Sequence, residues 1–188
     1  MEPSALIRRS LAEFFRDVLR GAMQTHAVRP SEPTEHYLVA LLEHFAKPGP
    51  DWDARPLALD YLESFELPRP RRLAALRRVG DTALFLSGVF MESLERRIVS
   101  TDYYIGIGRL AYHQLAGLVP SDVFGEMAAR FPDFVRLLSE LTFEDMFRGD
   151  ARTVRVYTRW LRTRGQQDAE WLLRRGIAPF DPGVRSRH

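Results

Sequence analysis

Apolar side chains recur three and four residues apart along most of the chain, the spacing that gathers them on one face of an α-helix. Over residues 4–24, Ile7, Leu11, Phe14, Phe15, Val18, Leu19 and Ala22 form such a stripe, while Arg8, Arg9, Glu13, Arg16, Asp17 and Arg20 take the other side. Pro30 and Pro33 interrupt the pattern, and a second amphipathic helix over 34–47 points Tyr37, Leu38, Leu41, Leu42 and Phe45 inward before Pro48-Gly49-Pro50 ends it. A short helix over 56–65 follows. From Pro70 onward, Leu73, Leu76, Gly80, Ala83, Ser87, Phe90 and Leu94 alternate steps of three and four without a slip, which predicts one long helix over 70–98. Between Ala83 and Met91 that helix is apolar on nearly every side, the mark of an element in the middle of a fold.

In the second half, Ser100, Thr101 and Asp102 supply capping side chains for a helix over 102–118. Ser121 opens another to about 130, and Pro132 stands where a first helical turn tolerates proline. Thr142-Phe143-Glu144-Asp145 has the form of a capping box for a short helix ending near Gly149; Asp150 then caps a helix over 151–164, and a last one covers 166–175. No strand-like alternation and no internal repeat occurs. The expected fold is therefore an all-α, single-domain bundle of about seven to nine helices around the 70–98 helix, with residues 1–176 as the domain and 177–188 as a flexible C-terminal tail.

Composition narrows the class. With 45% hydrophobic and 28% charged residues over 188 positions, the chain has the material for a self-sufficient core. It has no cysteine, which removes disulfides, thiolate metal sites and cysteine nucleophiles together. Charge appears before any segment of signal-peptide length develops, and no apolar run approaches the roughly 20 residues of a membrane span, so the expected location is the cytoplasm. Lys47 is the one lysine and asparagine is absent, as codon bias in a GC-rich bacterial genome would produce. Arginine richness is then weak evidence for nucleic-acid binding, since drift places Arg where other proteins carry Lys.

The candidate chemistry is sparse. Gly106-Ile107-Gly108-Arg109-Leu110-Ala111 has the letters of a dinucleotide-binding turn, but the second strand that this motif requires after it is missing, so it reads as a helix packed through small residues. The histidines lack metal-ligand spacing: His36 and His44 share a polar helix face with Glu43 and Lys47, and neither a metal nor a cofactor is expected. Ser87 lacks the glycine and the strand-turn-helix setting of a nucleophile elbow. If the helices 70–98 and 102–118 form a tight antiparallel hairpin about residue 100, Gly88 faces Tyr112 and His113, and Glu92 faces Arg109. Asp81, Glu92, Arg109, Tyr112 and His113 would then line a pocket between them.

The most distinctive surface lies near the C-terminus. Arg148, Arg152, Arg155, Arg159 and Arg162 follow steps of four, three, four and three, a ridge along one helix face, with Val154, Tyr157 and Leu161 opposite and Trp160 at the flank to anchor the helix to the core. Residues 148–188 hold 10 basic and 4 acidic side chains, a balance of +6, against 17 and 21, or −4, in residues 1–147. Two function classes follow. A non-catalytic binding or regulatory protein would use the ridge on an acidic protein partner, nucleic acid being disfavoured by the near-neutral chain. A small-ligand-binding protein or enzyme would use the pocket. The sequence sets no oligomeric state.

Overall fold

The computed structural model describes residues 11–46, 56–89, 101–141, 156, 160, 163 and 165–174. Among them are eight helices and no strand: α1 (Leu11–Thr25), α2 (Glu32–Ala46), α3 (Leu57–Ser64), α4 (Arg69–Val89), α5 (Thr101–Leu118), α6 (Asp122–Ala129), α7 (Phe131–Ser139) and α8 (Gln166–Leu173). They pack as a helical bundle. No helix among the described residues is long and apolar enough to cross a membrane.

α4 is the centre, as its periodicity predicts. It packs most extensively on α5 and then on α7 and α3, with a lighter contact to α2. Every residue from Ala83 to Gly88 is buried, so this part of the helix has no wet side. Its neighbours supply the rest of the core: Phe15 and Leu19 from α1, Leu38, Leu42 and Phe45 from α2, Tyr104, Ala111 and Leu115 from α5, and Phe131, Phe134 and Leu138 from α7. Phe45 stacks on Phe85 with ring centroids 4.3 Å apart, tying α2 to α4. Ser87, buried in the α4 core, donates its hydroxyl to Ala83 O at 2.7 Å and is satisfied within its own helix.

The hairpin register differs from the expected one. A Cβ added at Gly80 would lie 2.7 Å from Tyr112 Cε1, so Gly80, not Gly88, is the residue that admits Tyr112. Gly88 lies against Leu138 and the backbone of Val135 on α7. The expectation counted outward from a turn at residue 100, but α4 as described ends at Val89 and α5 begins at Thr101, and the two helices pair about a point several residues earlier. Glu92 and residues 90–98 of the expected long helix lie outside the described residues.

Helix ends are closed by hydrogen bonds that periodicity does not reveal. α1 terminates in a Schellman arrangement: Val28 N–H donates to Met23 O at 3.0 Å and Ala27 N–H to Gln24 O at 3.4 Å, with Ala27 at φ 53°, in the left-handed region usually given to glycine. α2 starts at Glu32 rather than 34, because Pro33 sits in a first turn where its missing N–H costs nothing. Ser31 caps it, and Glu126 of α6 accepts from both Ser31 N–H at 3.2 Å and Ser31 Oγ at 2.6 Å, doing across two helices what a capping-box glutamate does within one.

Three arginines perform the matching task at C-terminal ends. Arg69 donates to Leu118 O, the last carbonyl of α5, at 2.6 Å. Arg72 donates to Ser64 O at 3.3 Å and Phe65 O at 2.5 Å where α3 ends, and Arg109 to Ala128 O at the end of α6 at 3.3 Å. A cation placed there satisfies orphan carbonyls and meets the negative end of the helix dipole.

Candidate functional site

Of the five residues expected to line a pocket, the fold brings two together. Asp81 projects from α4 one residue past Gly80, and Tyr112 crosses from α5 over the space that Gly80 leaves open. Tyr112 Oη donates to Asp81 Oδ1 at 2.7 Å. Arg109 is exposed and committed to Ala128 O, His113 is exposed on the outer side of α5, and Glu92 lies outside the described residues.

The partner that sequence reasoning missed is Tyr37. Its ring belongs to the apolar stripe of α2, yet its hydroxyl reaches across to donate to the same Asp81 Oδ1. Arg77, one turn before Asp81, completes the group: its Nε donates to Tyr37 Oη at 3.1 Å, stands 3.5 Å from Asp81 Oδ2, and carries its guanidinium 5.0 Å from the centre of the Tyr37 ring. The i, i+4 spacing of Arg77 and Asp81 was a visible signal for this pair. Tyr37 comes from an element 44 residues away in sequence, and no local pattern announces it.

The surroundings of the cluster are aromatic. Phe124 of α6 stands edge-on to Tyr37, with centroids 5.5 Å apart, and stacks on Tyr112 at 6.0 Å. Phe131 leans on Tyr112 at 5.9 Å and also fills the space over Gly108, beside Ala83. Gly108, read as a packing glycine, serves as one, and the whole Gly106–Ala111 stretch is α-helical.

Electrostatically, the site is a carboxylate held in poor solvent by hydroxyl groups. Burial pushes the Asp81 carboxyl above its ordinary value, against the hydrogen bonds from Tyr37 and Tyr112 and the charges of Arg77 and His44, which favour the ionised form. Burial, then the adjacent Asp81 charge, push the Tyr112 hydroxyl well up, and the same two causes raise Tyr37. Both tyrosines therefore stay protonated donors at any physiological pH. Among the described residues no three His, Asp or Glu side chains gather in a way that would hold a metal ion.

The arginine ridge, Arg148, Arg152, Arg155, Arg159 and Arg162, lies outside the described residues. Within that stretch Val156, Trp160 and Thr163 are described, and all three are helical. Trp160 is buried, as its proposed role as an anchor requires. Val156 is buried as well, although the sequence pattern had assigned Val154, Tyr157 and Leu161 to the core.

Comparison with protein-family models, with curated proteins and with solved structures gives no match for this chain.

Proposed function

We propose that this chain is a non-catalytic helical binding or regulatory protein of the bacterial cytoplasm, and that it meets an acidic partner protein through Arg148, Arg152, Arg155, Arg159 and Arg162. The observation that carries the non-catalytic half is the closure of the Asp81 cluster. A general acid or base needs a pKa near the working pH and an open side from which to reach substrate. Asp81 Oδ1 is instead engaged by two hydroxyls of its own chain, Oδ2 faces Arg77, and aromatic rings cover the tyrosines. Such an arrangement suits a polar clamp that fixes α2, α4 and α5 in one register.

Support for the ridge comes from charge placement. In the body of the molecule several arginines are spent internally: Arg69, Arg72 and Arg109 on helix-end carbonyls, Arg78 on Asp60 at 3.1 Å, and Arg130 on Glu126 at 3.0 Å. The C-terminal 41 residues carry 10 basic against 4 acidic side chains, a surplus of six positive charges. The second reading, a small-ligand-binding protein or enzyme with a pocket between the 70–98 and 102–118 helices, has less in its favour, because Tyr112 and Phe131 occupy the space over Gly80 and Gly108. Titration of a labelled polyglutamate peptide, followed by fluorescence anisotropy, against the wild type and a variant with Arg152, Arg155, Arg159 and Arg162 changed to Gln tests the ridge.

A further inference from the structure

The large hydrophobic side chains exposed among the described residues fall on one side of the molecule. Leu59 (46% exposed), Leu62 (61%) and Phe65 (37%) follow at three-residue steps along the outer side of α3 and its C-cap, while Leu57, Asp60 and Ser64 face inward. Leu110 (51% exposed) lies on α5, on the same helical stripe as Tyr103 and Gln114. That stripe meets α3, whose Ala58 N–H donates to Tyr103 Oη at 3.1 Å. Single exposed leucines are ordinary, but several on one helical face, joined by a fourth from the neighbouring helix, form an interaction surface.

We infer that this surface is where a second copy of the chain docks, α3 against α3, about a two-fold axis near Leu62. An isologous contact must be self-complementary, each position meeting its mate in both directions. The stripe meets that condition, because Leu59 and Phe65 stand three residues to either side of Leu62. A rotation that sets Leu62 on Leu62 of the partner subunit brings Leu59 onto Phe65 of the partner subunit, and the reverse. Charge agrees with the same arrangement: Glu66, exposed just past the C-terminal end of α3, is carried to the first turn of the other α3, at the positive end of its dipole. An anionic membrane fits less well, since Glu66 stands exposed beside Phe65 and would repel it. Three leucines and a phenylalanine make a patch of a few hundred Å², short of the roughly 800 Å² per partner of a standard interface, so the dimer is a reversible one. This surface is separate from the arginine ridge, and neither inference depends on the other.

The absence of cysteine makes the test direct. A Leu62→Cys thiol at the axis meets its own copy, and mild oxidation should convert most of the protein to a disulfide-linked dimer. Gly21→Cys, exposed on α1 where an added side chain meets nothing within 4 Å, should remain largely monomeric under the same treatment. Sedimentation of the wild type should show a concentration-dependent dimer that Leu62→Glu weakens at least tenfold with an unchanged circular dichroism spectrum. A wild type monomeric across the accessible concentrations, crosslinking of Leu62→Cys no faster than of Gly21→Cys, or a dimer untouched by Leu62→Glu would each overturn the inference. If Leu62→Glu fails to fold, the two cysteine variants decide.

Discussion

Tyr112 donates its hydroxyl to Asp81 Oδ1 at 2.7 Å across the α4–α5 interface, and Gly80, one residue before Asp81, is what lets the Tyr112 ring lie there. Packing and polar satisfaction are thus set by the same pair of adjacent positions. Tyr112→Phe keeps the ring and removes the donor, leaving a buried carboxylate short of one hydrogen bond. Urea unfolding should report a loss of about 1.5–3 kcal/mol, the usual scale for a bond to a charged group. A change within about 0.3 kcal/mol would mean that the hydroxyl bond adds nothing to the fold.

The same cluster sets an unusual pH dependence. Asp81 is raised above its ordinary value of 3.8 in the folded chain, so on acidification the folded state takes up this proton before the unfolded state does. Its contribution to stability is therefore fully present below about pH 3.8 and is lost as pH rises through the folded value. Glu126, held down by Ser31 and Thr34 hydrogen bonds that outweigh its partial burial, and Asp133, held down chiefly by Arg136, have the opposite sign and lose stability on acidification. Asp81→Asn removes one titration and leaves the others in place. The stability of the wild type minus that of Asp81→Asn should rise as pH falls from 7 toward 4, as followed by denaturant unfolding at each pH. A difference that is flat or falls over that interval would show that burial does not govern this carboxyl.

Glycines in the helices divide by what surrounds them. A Cβ at Gly88 would collide with Leu138, whereas one at Gly106 meets nothing within 4 Å. Gly106→Ala should stabilise the protein by about 0.5–1 kcal/mol through helix propensity alone. Gly88→Ala should instead destabilise it by about 1–3 kcal/mol, since overpacking outweighs propensity. Thermal unfolding of the two variants side by side checks the sign, and equal shifts would contradict the close approach of α4 and α7.

At the end of α1, Ala27 holds a left-handed conformation, φ 53°, that its Cβ disfavours. Ala27→Gly should raise stability by about 0.5–1 kcal/mol, the strain relieved less the extra freedom glycine has when unfolded. A destabilised variant would indicate that the Ala27 side chain makes a contact worth more than that strain.

How much of this was legible follows from where the information lay. The steps of three and four from Leu73 to Ser87 located the central helix, because burial on a helix leaves a periodic trace in its own residues. The pairing of α4 with α5 was misplaced because a helical period fixes which face turns inward but not how far one helix slides along another. Gly80 and Tyr112 are 32 residues apart and share no local pattern. Tyr37 was read by its ring, correctly placed on the inner side of α2, while its hydroxyl partner on another helix was invisible. Arg109 is expected from the sequence to face Glu92 in a pocket, and nothing local singles out Arg69 or Arg72; their use as caps depends on which helix ends the fold brings near them.

The proposed role as a binding protein meets its most direct test in the ridge variant with Arg152, Arg155, Arg159 and Arg162 changed to Gln. Anisotropy of labelled polyglutamate should show saturable binding to the wild type at low salt, weakening as salt rises, and at least a tenfold loss in the variant. The thermal midpoint of the variant should stay within about 2 °C of the wild type, since exposed charges contribute little to stability. Undiminished binding by the variant, or a wild type that does not bind the polyanion at all, would contradict the ridge as the contact surface. So would a large drop in thermal midpoint that shrinks at high salt, because it would mean that these arginines clamp the acidic body of their own chain.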